Sequence, residues 1–142
     1  MKKVNHETLI QILEKSGGIT LEYDMNECKS SAWCVGMHQT FEKHMNFNEF
    51  KKDKKAAAAM LIQAIRYCKY LTAEFADRLF EFKVGMWIDS GVVVCEPVQI
   101  TEDTQKALEF AIYRNQKSIY HLGMKQYVDI LRLKGLFDGD SL

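Results

Sequence analysis

Val84-Gly85-Met86-Trp87-Ile88-Asp89-Ser90-Gly91-Val92-Val93-Val94-Cys95-Glu96-Pro97-Val98 is the stretch that decides the fold. Two runs rich in β-branched and large apolar residues flank Ser90-Gly91, a turn dipeptide, so Val84 to Asp89 and Val92 to Val98 are predicted to pair as an antiparallel hairpin. With Val84, Met86 and Ile88 facing a core, Trp87 falls on the other side of its strand beside Gly85 and Asp89. Pro97 lacks the N–H that a ladder needs, which places the second strand at an edge or a bulge.

Upstream, Ile19-Thr20-Leu21-Glu22-Tyr23-Asp24 alternates apolar and polar residues, and Ala32 to Gln39 carries Trp33, Val35 and Met37 on one face. Joined by the polar segment 25–31, these read as another hairpin with a long loop. Before them, Leu9, Ile12 and Leu13 at helical spacing, with Asn5 as N-cap and Gly17-Gly18 as a stop, predict a short helix over residues 5–16. Between the hairpins, Ala57, Met60, Leu61, Ala64, Ile65, Cys68 and Leu71 form a stripe at steps of three and four. That stripe predicts a long helix from Glu49 to Leu71 capped by Asn48, and a further helical piece follows from Ala73 to Phe82.

Downstream, Thr101 caps a helix whose first turn holds Glu102 and Asp103 and whose buried face is Ala107, Leu108, Ala111 and Ile112. Asn115-Gln116 closes it. Lys117 to Leu122 is a candidate fifth strand, Met124 to Leu133 has helical spacing, and residues 135–142 read as a flexible tail. The predicted class is α+β: a single domain over residues 1–142, with a mainly antiparallel sheet covered by helices.

The chain has 142 residues, enough to bury a core without disulfide or metal staples. Its 19 basic residues equal its 19 acidic ones, which argues against both a histone-like base and an acidic mimic of nucleic acid. The first residues turn polar at once, and the longest apolar run, Ala56 to Ile62, is far below the ~20 residues of a membrane span. A soluble cytoplasmic protein is expected, with Cys28, Cys34, Cys68 and Cys95 as reduced thiols and no membrane partner.

Three chemistries suggest themselves. Cys28, Cys34, His38 and His44 are residue types that suit zinc, but on a strand Cys34 and His38 would stand roughly 13 Å apart, so no metal is assigned. Cys34 or Cys95 paired with His38 or His121 would make a thiol nucleophile, yet no motif with a catalytic mechanism or cofactor fingerprint is present, and no catalytic residue or cofactor is assigned. Lys51, Lys52, Lys54 and Lys55 crowd the start of the predicted long helix, where its dipole disfavours them. They are candidates for phosphate contact, with Trp33 and Trp87 as stacking or partner-binding residues in comparable positions of the two hairpins.

A further pattern emerges from Gly85-Met86-Trp87-Ile88-Asp89-Ser90-Gly91, then the acidic-capped helix with Ala107 and Ala111, then Asn115-Gln116-Lys117-Ser118-Ile119-Tyr120. It resembles the C-terminal half of small uncharacterised proteins encoded by bacteriophages and mobile elements, in which a Gly-x-Trp-x-Asp-x-Gly hairpin precedes a helix and an Asn-Gln-x-x-Ile-Tyr strand. Gly17-Gly18-Ile19-Thr20 and Ala32-Trp33-Cys34-Val35 resemble their first hairpin, and His121 stands where they carry an acidic residue. The resemblance implies a phage accessory protein that binds a host protein or complex without catalysis, such as an inhibitor of a defence ribonucleoprotein of the anti-CRISPR kind. A nucleic-acid-binding module using Lys51 to Lys55 is the alternative reading, and a thiol-dependent enzyme the third.

Overall fold

Ser90 and Gly91 both adopt positive φ, 52° and 79°, the backbone of a tight turn whose twist matches that of its flanking strands. They join β4 (Glu81–Asp89) to β5 (Val92–Thr101), paired along all of β4 from Asp89 opposite Val92 to Glu81 opposite Ile100. Around this hairpin the computed structural model describes residues 4–28, 32–36, 42–74, 81–114, 116, 118–124 and 126–131. The other elements are α1 (His6–Ser16), β1 (Gly18–Leu21), β2 (Trp33–Gly36), β3 (Lys43–Asn46), α2 (Phe47–Lys52), α3 (Lys54–Glu74), α4 (Thr104–Tyr113), β6 (Ser118–His121) and β7 (Gln126–Asp129). All strand pairs are antiparallel, in the order β1-β4-β5-β2-β6-β7, and β3 joins the same edge of β5 as β2. The class is α+β.

Helices cover one face of the sheet. Leu9 and Leu13 of α1, Phe50 of α2, and Ala57, Met60, Leu61, Ala64, Cys68 and Leu71 of α3 pack on Leu21, Val84, Met86, Val93 and Cys95. A second cluster seats Ala107, Leu108 and Ala111 of α4 on Trp33, Val35 and Ile119. Buried side chains alternate with residues facing the other side, as the period of two requires.

Several sequence expectations are corrected. β1 and β2 do not form a hairpin: β1 pairs with β4, while β2 pairs with β5 and β6. The second hairpin is instead β6 with β7, so the stretch predicted as a helix from Met124 is a strand over Gln126–Asp129. Phe82, expected at the end of a helix, lies in β4 with its side chain fully buried, and α3 runs on to Glu74; residues 75–80 of the expected helical piece lie outside the described residues. The long helix is broken at Asp53. Its N-cap is Asn46, whose side chain accepts from the Asn48 amide, and Asp53 ends α2 while its carboxylate accepts from the Ala56 amide at 3.0 Å to cap α3. α4 is capped by Asp103 rather than Thr101. The cap Asn5, the left-handed stop Gly17 and the strand Ser118–His121 form as expected. The tail 135–142 lies outside the described residues.

β5 is a central strand, yet it contains Pro97. The pairing of β2 ends with Gly36 opposite Val98 and that of β3 begins with Lys43 opposite Cys95, so Glu96 and Pro97 face the interruption between them. Proline is tolerated at this break in the ladder, while the register with β4 continues through it with Val84 opposite Pro97.

Candidate functional site

The sheet face opposite the helices is set by the same registers. Gly85 stands between Thr20 and Glu96, Trp87 between Gly18 and Val94, and Cys34 between Ile100 and Tyr120. In a flat sheet β1 and β2 would be three strand spacings apart, roughly 14 Å. Thr20 Oγ1 lies 3.8 Å from Cys34 Sγ, so the sheet is curled into a trough. Cys28, Cys34, Val98 and Leu122 fill one part of it. The remainder is a cavity of about 430 Å³, a size typical of small-ligand sites.

Glu96 lines this cavity at 2% exposure in the middle of the central strand. One step beyond the pairing of Lys43 with Cys95 brings Glu42 opposite Glu96. Burial, and then the neighbouring charge and hydrogen bond of Glu42, push the Glu96 carboxyl from the usual 4.5 up to about 9, while Arg114 pulls the other way. At neutral pH Glu96 is therefore a carboxylic acid that shares its proton with Glu42. No N–H or hydroxyl among the described residues donates to its buried Oε2. Glu42 is itself tied to His44 Nε2 at 3.2 Å.

Gly36 makes room for this arrangement. A Cβ there would stand 2.6 Å from Glu96 Oε1 and 2.8 Å from Gln116 Oε1, and one on Gly85 would stand 2.6 Å from a methyl of Val98. Arg114, after α4, donates to the carbonyl of Gly36 at 3.5 Å and to Gln99 Oε1, so its guanidinium is held beside the site rather than in it. Trp87, Tyr120 and Tyr127 supply aromatic wall, with the two tyrosine rings 4.8 Å apart. Asp89 and Tyr127 are exposed and stand at the rim. No described lysine, arginine or histidine lines the cavity.

The residues singled out from sequence divide. Trp87 is half-buried in the cavity wall. Trp33 is 7% exposed under α4, its indole N–H donating to Thr104 Oγ1 at 2.9 Å and its ring edge-on to His121. The two tryptophans are thus not equivalent, and Trp33 offers no exposed surface. Lys51 and Lys52 sit in the last turn of α2, where the dipole favours a cation, so only Lys54 and Lys55 are at a helix start. Lys51 lies 3.9 Å from Glu14 and over the Phe47 ring, while Lys52, Lys54 and Lys55 are exposed.

Cys28 and Cys34 are buried, and His44 is exposed on β3; His38 lies outside the described residues. Burial pushes the thiols of Cys34 and Cys68 up to about 12 and raises Cys95 as well, the opposite of what a thiolate nucleophile needs. Cys95 packs against α3, on the face away from the cavity.

Sequence reasoning passed over Glu96, Glu42, Gly36 and Gln116. The readable signal was Glu96 itself, a charged residue inside the apolar run Val92 to Val98. Comparison of the chain with protein-family models, curated proteins and solved structures finds no match.

Proposed function

We propose that the chain acts by binding rather than by catalysis, with the trough of its curled sheet as the recognition surface. The observation that carries this is the cavity of about 430 Å³ with the buried, protonated Glu96 in its wall. Polar groups converging in a largely apolar, aromatic cleft are what a ligand site requires. Acid–base catalysis by the carboxyl pair is less well supported, because Glu42 is not among the cavity-lining residues and both groups would have to reach one reacting centre. The high thiol pKa of Cys34 weighs against nucleophilic chemistry in the same way.

The resemblance to bacteriophage proteins supports the accompanying proposal that what is bound belongs to a bacterial host, a component of a defence complex being the leading candidate. The exposed Lys52, Lys54 and Lys55 support contact with nucleic acid as a second reading. Ser118→Trp, which fills the cleft from β6, distinguishes them. The first reading expects the substitution to release whatever the chain captures from host cells while circular dichroism and melting stay those of a folded protein. Capture that survives Ser118→Trp and is lost on charge reversal of Lys51, Lys52, Lys54 and Lys55 supports nucleic acid instead.

A further inference from the structure

We infer that the cleft takes a planar organic cation, an amidinium or guanidinium, which seats on the Glu96 carboxyl. This rests on the reading of the trough as a binding surface and names the chemistry of its occupant.

Four observations converge. The described lining carries the carboxyls of Asp89 and Glu96 and no basic side chain, so an anionic ligand such as a phosphate would find no countercharge. Glu96 is 98% buried, given its 2% exposure, and its Oε2 has no N–H or hydroxyl donor among the described residues. A buried carboxyl whose hydrogen bond is a proton shared with Glu42 has acceptor capacity left for an incoming donor. Trp87, Tyr120 and Tyr127 offer ring faces of the kind that attract cations. The chain's own nearby cation, Arg114, is held by Gly36 and Gln99 and does not line the cavity.

The exchange balances simply. The cation enters with its charge, the Glu96 O–H bond breaks, one proton passes to solvent, and the carboxylate accepts N–H from the cation in place of the proton it shared. Other titratable groups face Glu96 from the neighbouring elements. Glu42 before β3, Arg114 after α4, Cys34 of β2, Cys95 of β5 and Tyr127 of β7 interact with it electrostatically, and Asp89 of β4 and Tyr120 of β6 line the same cavity. Burial raises Cys34, Tyr120 and Tyr127 above their ordinary values, so these three remain neutral around neutral pH. His44 lies beside Glu42, and His44→Gln is the control for its part.

The test uses three probes of one shape and three charges: benzamidine, benzamide and benzoate. Each is titrated into the full chain and followed by the amide signals of Gly36 and Gly85 and the Trp87 indole. Benzamidine is expected to bind at least roughly tenfold more tightly than benzamide, with affinity rising about tenfold per pH unit between about pH 6 and pH 8. Calorimetry in buffers of different ionisation enthalpy is expected to show close to one proton released. Glu96→Gln abolishes both the preference and the release; the wild-type proton count stands alone should that variant not fold.

An arginine tripeptide, blocked at both ends, separates two sources of the same group. Tighter cleft binding than benzamidine marks an arginine of a partner protein, and weaker binding marks a free small molecule. Benzamide or benzoate binding in the cleft as well as benzamidine overturns the inference but leaves the binding reading. If no probe shifts the cleft signals, both are overturned.

Discussion

Thr20 on β1 and Cys34 on β2 touch, Oγ1 to Sγ at 3.8 Å, although β4 and β5 lie between their strands in the sheet. That contact turns a seven-stranded sheet into a trough. Its helix-covered face is a conventional apolar core, whereas its inner face holds a buried acid, an amide and aromatic rings around open space. Folding energy comes from the first face, and the second is the proposed recognition surface.

The buried acid has a cost that depends on pH. Glu96 holds its proton to about 9 in the folded chain against the usual 4.5, so across that window the folded state binds one more proton than the unfolded. Stability from this group therefore falls as pH rises through the window, by about 1.4 kcal/mol per unit at its steepest, and levels off above it. Glu96→Gln keeps the shape and the donor without the charge. Urea unfolding is expected to find it on the order of 4–5 kcal/mol more stable than wild type at pH 8 and nearly equal at pH 4.

Gly36 is required by the acid rather than by backbone freedom. Gly36→Ala places a methyl 2.6 Å from Glu96 Oε1 and 2.8 Å from Gln116 Oε1, and a loss of about 1–3 kcal/mol is expected. Combining it with Glu96→Ala removes one of the two clashes. The two changes are expected to be non-additive, the pair costing at least ~0.5 kcal/mol less than the sum of the singles in denaturant melts.

Legibility in the sequence followed how local each decision was. The turn at Ser90-Gly91, the cap Asn5 and the stop Gly17 are settled by residues next to one another, and all three were readable. The partner of β1 depends on residues more than sixty positions away in β4, and no local pattern distinguishes β4 from β2 as its neighbour. Tyr127, Val128 and Leu131 fit helical spacing, but 126–129 also suit a strand with Val128 turned inward, and pairing with β6 decided between them. Asp53 was hidden among lysines and alanines that all suit a helix. The cleft was least legible of all. Glu96 was visible as a misfit in an apolar run, whereas its juxtaposition with Glu42 and Gly36 exists only through the two registers on either side of Pro97.

Asp53 acts twice, ending α2 through its amide to Glu49 and starting α3 through its carboxylate. It also sets a negative charge among Lys51, Lys52, Lys54 and Lys55. Asp53→Ala is expected to cost about 1 kcal/mol, and Asp53→Asn much less, in thermal melts that separate capping from charge. Ligand-induced shifts in the cleft should be the same in both variants.

The thiols provide an independent check on burial. Cys34 and Cys68 sit near pKa 12 and all four cysteines are buried, so Ellman's reagent at pH 8 is expected to modify them only as fast as the chain opens. Urea should accelerate the reaction in step with unfolding. A rapid burst from Cys34 in native buffer would mean that the trough does not close over it.

The most direct measurement is the carboxyl carbon resonance of Glu96, followed by nuclear magnetic resonance against pH with and without benzamidine. The account predicts a midpoint near 9 in the free protein and an ionised carboxylate already at neutral pH once the probe is bound. A midpoint near 4.5 in the free protein, or a titration that benzamidine leaves unmoved, would contradict it.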